Sequence, residues 1–90
     1  MISEDDFVQA PEAIRNQVIR IARQLGKDAR DLRADQAIPA TGFLDSAGLM
    51  ELMTWYETTY DLAIGQDEFT LENFGTVDAM VRYLARSRAR

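Results

Sequence analysis

Ser46 follows Asp45 in the stretch GFLDSAGLMELM, residues 42–53, the only Asp-Ser step in the chain. A serine hydroxyl becomes a useful nucleophile when a neighbouring base takes its proton. The usual bases are missing: the 90 residues include no histidine, no cysteine and one lysine, Lys27. Without cysteine there are no disulfides, thiolate nucleophiles or sulfur-ligated metals, and without histidine the commonest general base and metal ligand is gone. Chemistry at Ser46 is therefore expected to be driven by another protein, and the chain itself is not expected to be an enzyme.

The net charge of −5 conceals a division along the chain. Residues 34–81 hold nine acidic side chains (Asp35, Asp45, Glu51, Glu57, Asp61, Asp67, Glu68, Glu72 and Asp78) and no basic one, while the flanking segments together carry +4. Such a middle repels phosphate backbones and steers basic partners toward it, so nucleic acid is not an expected ligand. A merely solvated acidic surface has the same composition. The N-terminal MISEDDFVQA is acidic where a secretory signal is basic, and no apolar run approaches the ~18 residues of a membrane span. These features predict a soluble, cytoplasmic protein without membrane insertion. The length fits one domain over residues 1–90, with an N-terminal extension at 1–10 and a basic tail at 86–90.

The elements that must position Ser46 are helical. Ile14, Val18, Ile21, Ala22 and Leu25 recur at helical spacing and predict a first helix near 11–25, with Pro11 in its first turn and Gly26 after its last. Ser3 and Asp6 form a possible upstream cap and Phe7 can reach the core, but Pro11 would bend a helix begun there. Residues 26–44 lack a period and read as a long ordered loop anchored by Leu32, Ile38, Phe43 and Leu44. A second helix near 46–60 carries Leu49, Leu52, Met53, Tyr56 and Tyr60 on one face, a core-facing stripe. Ala47, Met50, Glu51, Thr54 and Trp55 fall on the other. Leu62 and Ile64 anchor a second loop, Thr70 to Phe74 allow one short helical turn, and Thr76 caps a last helix with Val77, Met80, Val81 and Leu84 inward.

A second helix that starts at Asp45-Ser46 offers unpaired N–H groups and a partial positive charge at that point. An anion carried by Ser46, such as a phosphodiester, sits favourably there. A simple helix cap worth ~1 kcal/mol explains the same dipeptide.

The whole order of GFLDSAGLMEL, a long helix ending ETTYDLAI, the short turn TLENFG and then TVDAMVRYL resembles the acyl and peptidyl carrier proteins over nearly the entire chain. The resemblance implies an all-α four-helix bundle with three main helices, a short third helix and a long loop between helices one and two. It implies that Ser46 receives covalent 4′-phosphopantetheine from coenzyme A through a separate phosphopantetheinyl transferase, with Asp45 helping that enzyme and its metal approach. The arm's thiol would carry an acyl or aminoacyl thioester. Glu51 and Leu52 match the Glu-Leu of the family's helix, and Thr76-Val77 matches the start of its last helix. The implied partners are the transferase, an acyl- or aminoacyl-activating ligase and a downstream acyl-accepting enzyme, docked on Ala47, Met50, Glu51, Thr54 and Trp55 of a monomer.

Two positions depart from the family pattern. Ala47 stands where leucine is usual, which leaves the choice of transferase open, and Met50 is placed to supply the lost apolar contact. Gly48 stands where fatty-acid carriers often have an acid. LDSAGLMEL with DEFTLENFGTVDAM is most similar to freestanding carriers that serve dedicated ligases, including D-alanyl, other aminoacyl and small hydroxyacyl carriers. The bulky Met53, Tyr56 and Tyr60 favour short polar cargo, although a packed core is ordinary in any bundle. The competing reading is a helical adaptor that binds a partner through the Met50 and Trp55 face and bears no cofactor. A calcium module around Asp67, Glu68 and Glu72 is disfavoured because the spacing D-x-[DN]-x-[DN]-G is absent.

Overall fold

A computed structural model describes residues 2–88. Among these residues the regular structure is entirely helical: α1 (Glu4–Gln24), α2 (Ile38–Thr41), α3 (Ser46–Thr59), α4 (Leu71–Phe74) and α5 (Val77–Arg88), with one 3-10 turn at Gln66–Glu68. The three long helices α1, α3 and α5 form the bundle, and α4 closes one end against α5. This is the all-helical class expected, with the short helix α4 inside the turn expected at Thr70 to Phe74; Thr70 caps it, its Oγ1 accepting the N–H of Asn73 at 3.2 Å. Among the described residues no helix is long and apolar enough to cross a membrane.

The first helix starts well ahead of the expected residue 11 and passes through Pro11 without a break. Ser3 Oγ accepts the Asp6 N–H at 3.0 Å, and Glu4, Asp5 and Asp6 place negative charge in the first turn, where the helix dipole favours it. The added turns are also held from outside. Ile2 and Ala10 are buried, Phe7 packs on the core, and the Arg88 guanidinium lies 4.9 Å from the centre of the Phe7 ring. These contacts compensate for the hydrogen bond that Pro11 cannot donate. At the other end, Gly26 has φ of 77°, the left-handed conformation of a residue just past a helix.

The connection from α1 to α3 is ordered throughout, and it contains α2, a single turn not foreseen in the sequence. Ala29, Leu32, Ile38 and Leu44 anchor it in the core. Backbone bonds then tie it to the far side of the bundle: the Ile38 N–H donates to the Gly75 carbonyl at 2.7 Å, and the Asp78 N–H to the Ala34 carbonyl at 3.0 Å. Arg15 of α1 clamps its early part, donating from Nε to the Leu32 carbonyl at 2.9 Å and from the terminal nitrogen Nη2 to the Arg30 carbonyl.

The centre of the core is aromatic. Tyr56 meets Phe74 edge-on with ring centres 5.7 Å apart, Phe74 lies 4.7 Å from Tyr83, and Tyr60 stands 5.4 Å from Tyr56. Phe69 adds to the outer side of Phe74 at 5.6 Å. Of the basic tail expected at 86–90, Arg86 and Arg88 belong to α5, and residues 89 and 90 lie outside the described residues.

Candidate functional site

Helix α2 delivers the chain to Ser46. It ends at Gly42, whose φ of 75° turns the backbone in a way that a side chain would strain. Thr41 Oγ1 donates to the Ile38 carbonyl at 2.6 Å and accepts the Phe43 N–H at 3.2 Å, which fixes the exit from the turn. Leu44 is then buried, and the next residue, Asp45, stands at the N-cap of α3 in extended conformation.

Asp45 Oδ1 accepts the Gly48 N–H at 2.7 Å, the side-chain cap of the helix. The N–H groups of Ser46 and Ala47 meet no protein acceptor among the described residues. Ser46 is the first residue of α3; it is exposed, and its hydroxyl makes no protein hydrogen bond among the described residues. The first turn of α3 contains no acidic residue. An anion borne on Ser46 therefore meets free N–H groups and the positive end of a 14-residue helix, with the neighbouring carboxylate of Asp45 opposing it.

Of the remaining residues singled out in the sequence, Ala47, Met50, Glu51 and Thr54 share one exposed face of α3, with Met50 60% exposed. Trp55 sits at the edge of that face and is half-buried. Its ring packs on the core, edge-on to Tyr60 with centres 5.9 Å apart. Leu52, Met53, Tyr56 and Tyr60 are buried, as their spacing requires, and Leu49 is half-buried. Among the described residues no group of three or more acidic side chains is arranged to hold a metal ion, so Asp67, Glu68 and Glu72 do not form such a group.

One feature of this side of the molecule was not visible in the sequence. An apolar recess of about 170 Å³ opens beside α3, lined by Pro39, Leu49, Met53, Phe69, Leu71 and Phe74 among others. Phe69 and Leu71 stand on its rim, 44% and 72% exposed. Its walls come from three separated segments, and only exposed apolar residues next to a short helix hinted at it.

The model of the phosphopantetheine attachment site family matches residues 18–84, from the middle of α1 to the inner part of α5. The chain belongs to the phosphopantetheine attachment site family. It is a carrier protein, and its cofactor is covalently attached 4′-phosphopantetheine. Carrier proteins of this family are non-catalytic. The carrier is also similar to Aminoacyl carrier protein 2 of Bradyrhizobium diazoefficiens, with 34% identity over 74 residues, 79% of this chain and 82% of the relative. No solved structure matches it significantly.

Proposed function

We propose that Ser46 is the residue to which 4′-phosphopantetheine is attached, and that the carrier bears an acyl or aminoacyl group as a thioester on that arm. The observation that carries this reading is the free, exposed hydroxyl of Ser46 at the first position of α3, beside the Asp45 cap. The Ser46 oxygen takes the phosphopantetheinyl group of coenzyme A, the phosphoanhydride bond breaks, and adenosine 3′,5′-bisphosphate leaves. The hydroxyl proton goes to a base of the phosphopantetheinyl transferase, because this chain has no histidine and Asp45 Oδ1 is already engaged by Gly48. Asp45 holds the first turn of α3 and presents its outer carboxylate oxygen to the transferase and its metal. When bound, the arm supplies the thiol that the cysteine-free chain lacks.

The family relative's name favours aminoacyl cargo, loaded by a dedicated aminoacyl- or acyl-activating ligase and passed to a downstream acyl-accepting enzyme. The aromatic filling of the core around Tyr56, Phe74 and Tyr83 favours small cargo. Partners dock on Ala47, Met50, Glu51, Thr54 and the edge of Trp55, extended by the recess rimmed by Phe69 and Leu71. The acidic Glu51, Asp67 and Glu72 around this apolar surface fit a partner with Arg or Lys flanking an apolar projection. We place the carrier in the cytoplasm, where coenzyme A and the transferase meet it, as a monomeric single domain over residues 1–90.

Incubation with coenzyme A and a broad-specificity phosphopantetheinyl transferase is expected to add the mass of one arm to the wild type and none to Ser46→Ala. A wild type that gains no mass would falsify the proposal. A cofactor-free adaptor predicts instead that a partner binds wild type and Ser46→Ala equally tightly while neither is modified.

A further inference from the structure

Gly48 is the third residue of α3 and is buried. Glycine is among the least favourable residues inside a helix, exceeded only by proline. Its conformational freedom is not used here, since the positive-φ glycines of the described chain are Gly26 and Gly42. What the position lacks is space. A Cβ built on Gly48 would lie 3.3 Å from Ile21 Cγ2, 3.3 Å from Leu44 Cβ and 3.2 Å from Asp45 Oδ1. These are closer than the ~3.5 to 4.0 Å at which carbon atoms pack.

The two apolar neighbours have little room to retreat. Ile21 is 1% exposed within α1, and the Leu44 Cβ is fixed to a backbone whose side chain is buried. The Asp45 carboxylate is held by the N–H of Gly48 itself. The bare glycine thus lets the first turn of α3 lie directly against α1. Ser46 stands two residues earlier, about 200° around the helix, so the face opposite this contact is the one that offers its hydroxyl to solvent.

We infer that Gly48 is a positioning residue for the modification of Ser46: by seating the first turn of α3 on Ile21 and Leu44 it sets the pose in which the hydroxyl is presented to the transferase. The inference rests on Ser46 being the attachment site. A side chain at 48 lifts that turn from α1, loosens the Asp45 cap and turns Ser46 out of line.

The test is the steady-state kinetics of arm transfer from coenzyme A to the full chain, with wild type, Gly48→Ala and Gly48→Leu, and with folding followed by circular dichroism. Gly48→Leu is expected to lower kcat roughly tenfold, equivalent to ~1.4 kcal/mol. KM for coenzyme A should be unchanged, and Gly48→Ala should fall between. A mere loss of folded carrier would behave differently, raising the apparent KM for the carrier with kcat intact. Should Gly48→Leu fail to fold, the decrease in kcat for Gly48→Ala decides. Wild-type kcat in the folded variants overturns this inference alone, whereas a wild type that accepts no arm overturns the Ser46 assignment and this inference with it.

Discussion

The phenol of Tyr56 in α3 donates a 2.8 Å hydrogen bond to the backbone carbonyl of Met80 in α5, and both residues are sealed from solvent. It ties α3 to α5 at a buried point and resists sliding of one helix along the other. Replacing Tyr56 with Phe keeps the ring and its contacts with Phe74 and Tyr60 but removes this bond. Chemical denaturation of Tyr56→Phe is expected to show a loss of about 1 kcal/mol, the typical net worth of one buried hydrogen bond. An unchanged midpoint would mean that the rings alone set the register.

The same burial makes the protein sensitive to alkali. Burial raises the Tyr56 hydroxyl far above the ordinary tyrosine value, with smaller contributions from Tyr83 and Tyr60. Burial likewise raises Tyr60, and Asp6 adds to the effect. The unfolded chain releases these protons near pH ~10, whereas the folded chain keeps them, so the native state binds more protons above that pH. The stabilising effect is fully present below pH ~10 and is lost as the pH rises beyond it. Thermal unfolding followed from pH 8 to 11 should give a Tm that declines above about pH 10, and a less steep decline for Tyr56→Phe.

Asp45 has a structural duty separable from any role toward partners. Its carboxylate caps α3 through Gly48. Asp45→Ala is expected to destabilise the fold by about 1 kcal/mol in urea, while Asp45→Asn retains most of the cap. If transfer of the arm falls for both variants alike, the negative charge itself serves the transferase; if Asn behaves as wild type, the cap is what matters.

Leu71 is exposed at the rim of the recess and makes little contribution to the core. Leu71→Glu should leave stability within ~0.5 kcal/mol of wild type. Loading by the cognate ligase should fall roughly tenfold in kcat/KM, as expected for losing one buried leucine contact. Loading of the wild type should also weaken as salt is raised, because the surrounding surface is acidic. Undiminished loading of Leu71→Glu would confine the partner to the exposed face of α3, away from the recess.

How far the sequence reveals this molecule depends on where each interaction partner lies. Helices α3 and α5 are legible because cap and stripe are local: Asp45 precedes a periodic run, and Thr76 Oγ1 accepts the Ala79 N–H at 2.9 Å as its position suggests. The start of α1 is misjudged because Pro11 argues locally against a helix that Ile2, Phe7 and Arg88 support from a distance. A single turn such as α2 buries only Ile38 and leaves no period to read. The recess escapes notice for the same reason, since Pro39, Leu49 and Leu71 meet only in the folded chain. Gly48 reads in sequence as a missing acid; its contact with Ile21, twenty-seven residues upstream, is what gives it a different meaning.

Trp55 is the only tryptophan in the chain, half-buried at the edge of the exposed face of α3 and set against Tyr60 with ring planes at 83°. The protein therefore carries its own fluorophore at a useful place. Its emission will redden when the bundle opens and shift toward the blue when a partner covers that edge, so unfolding and docking can be followed optically in unlabelled material and told apart by the direction of the spectral change.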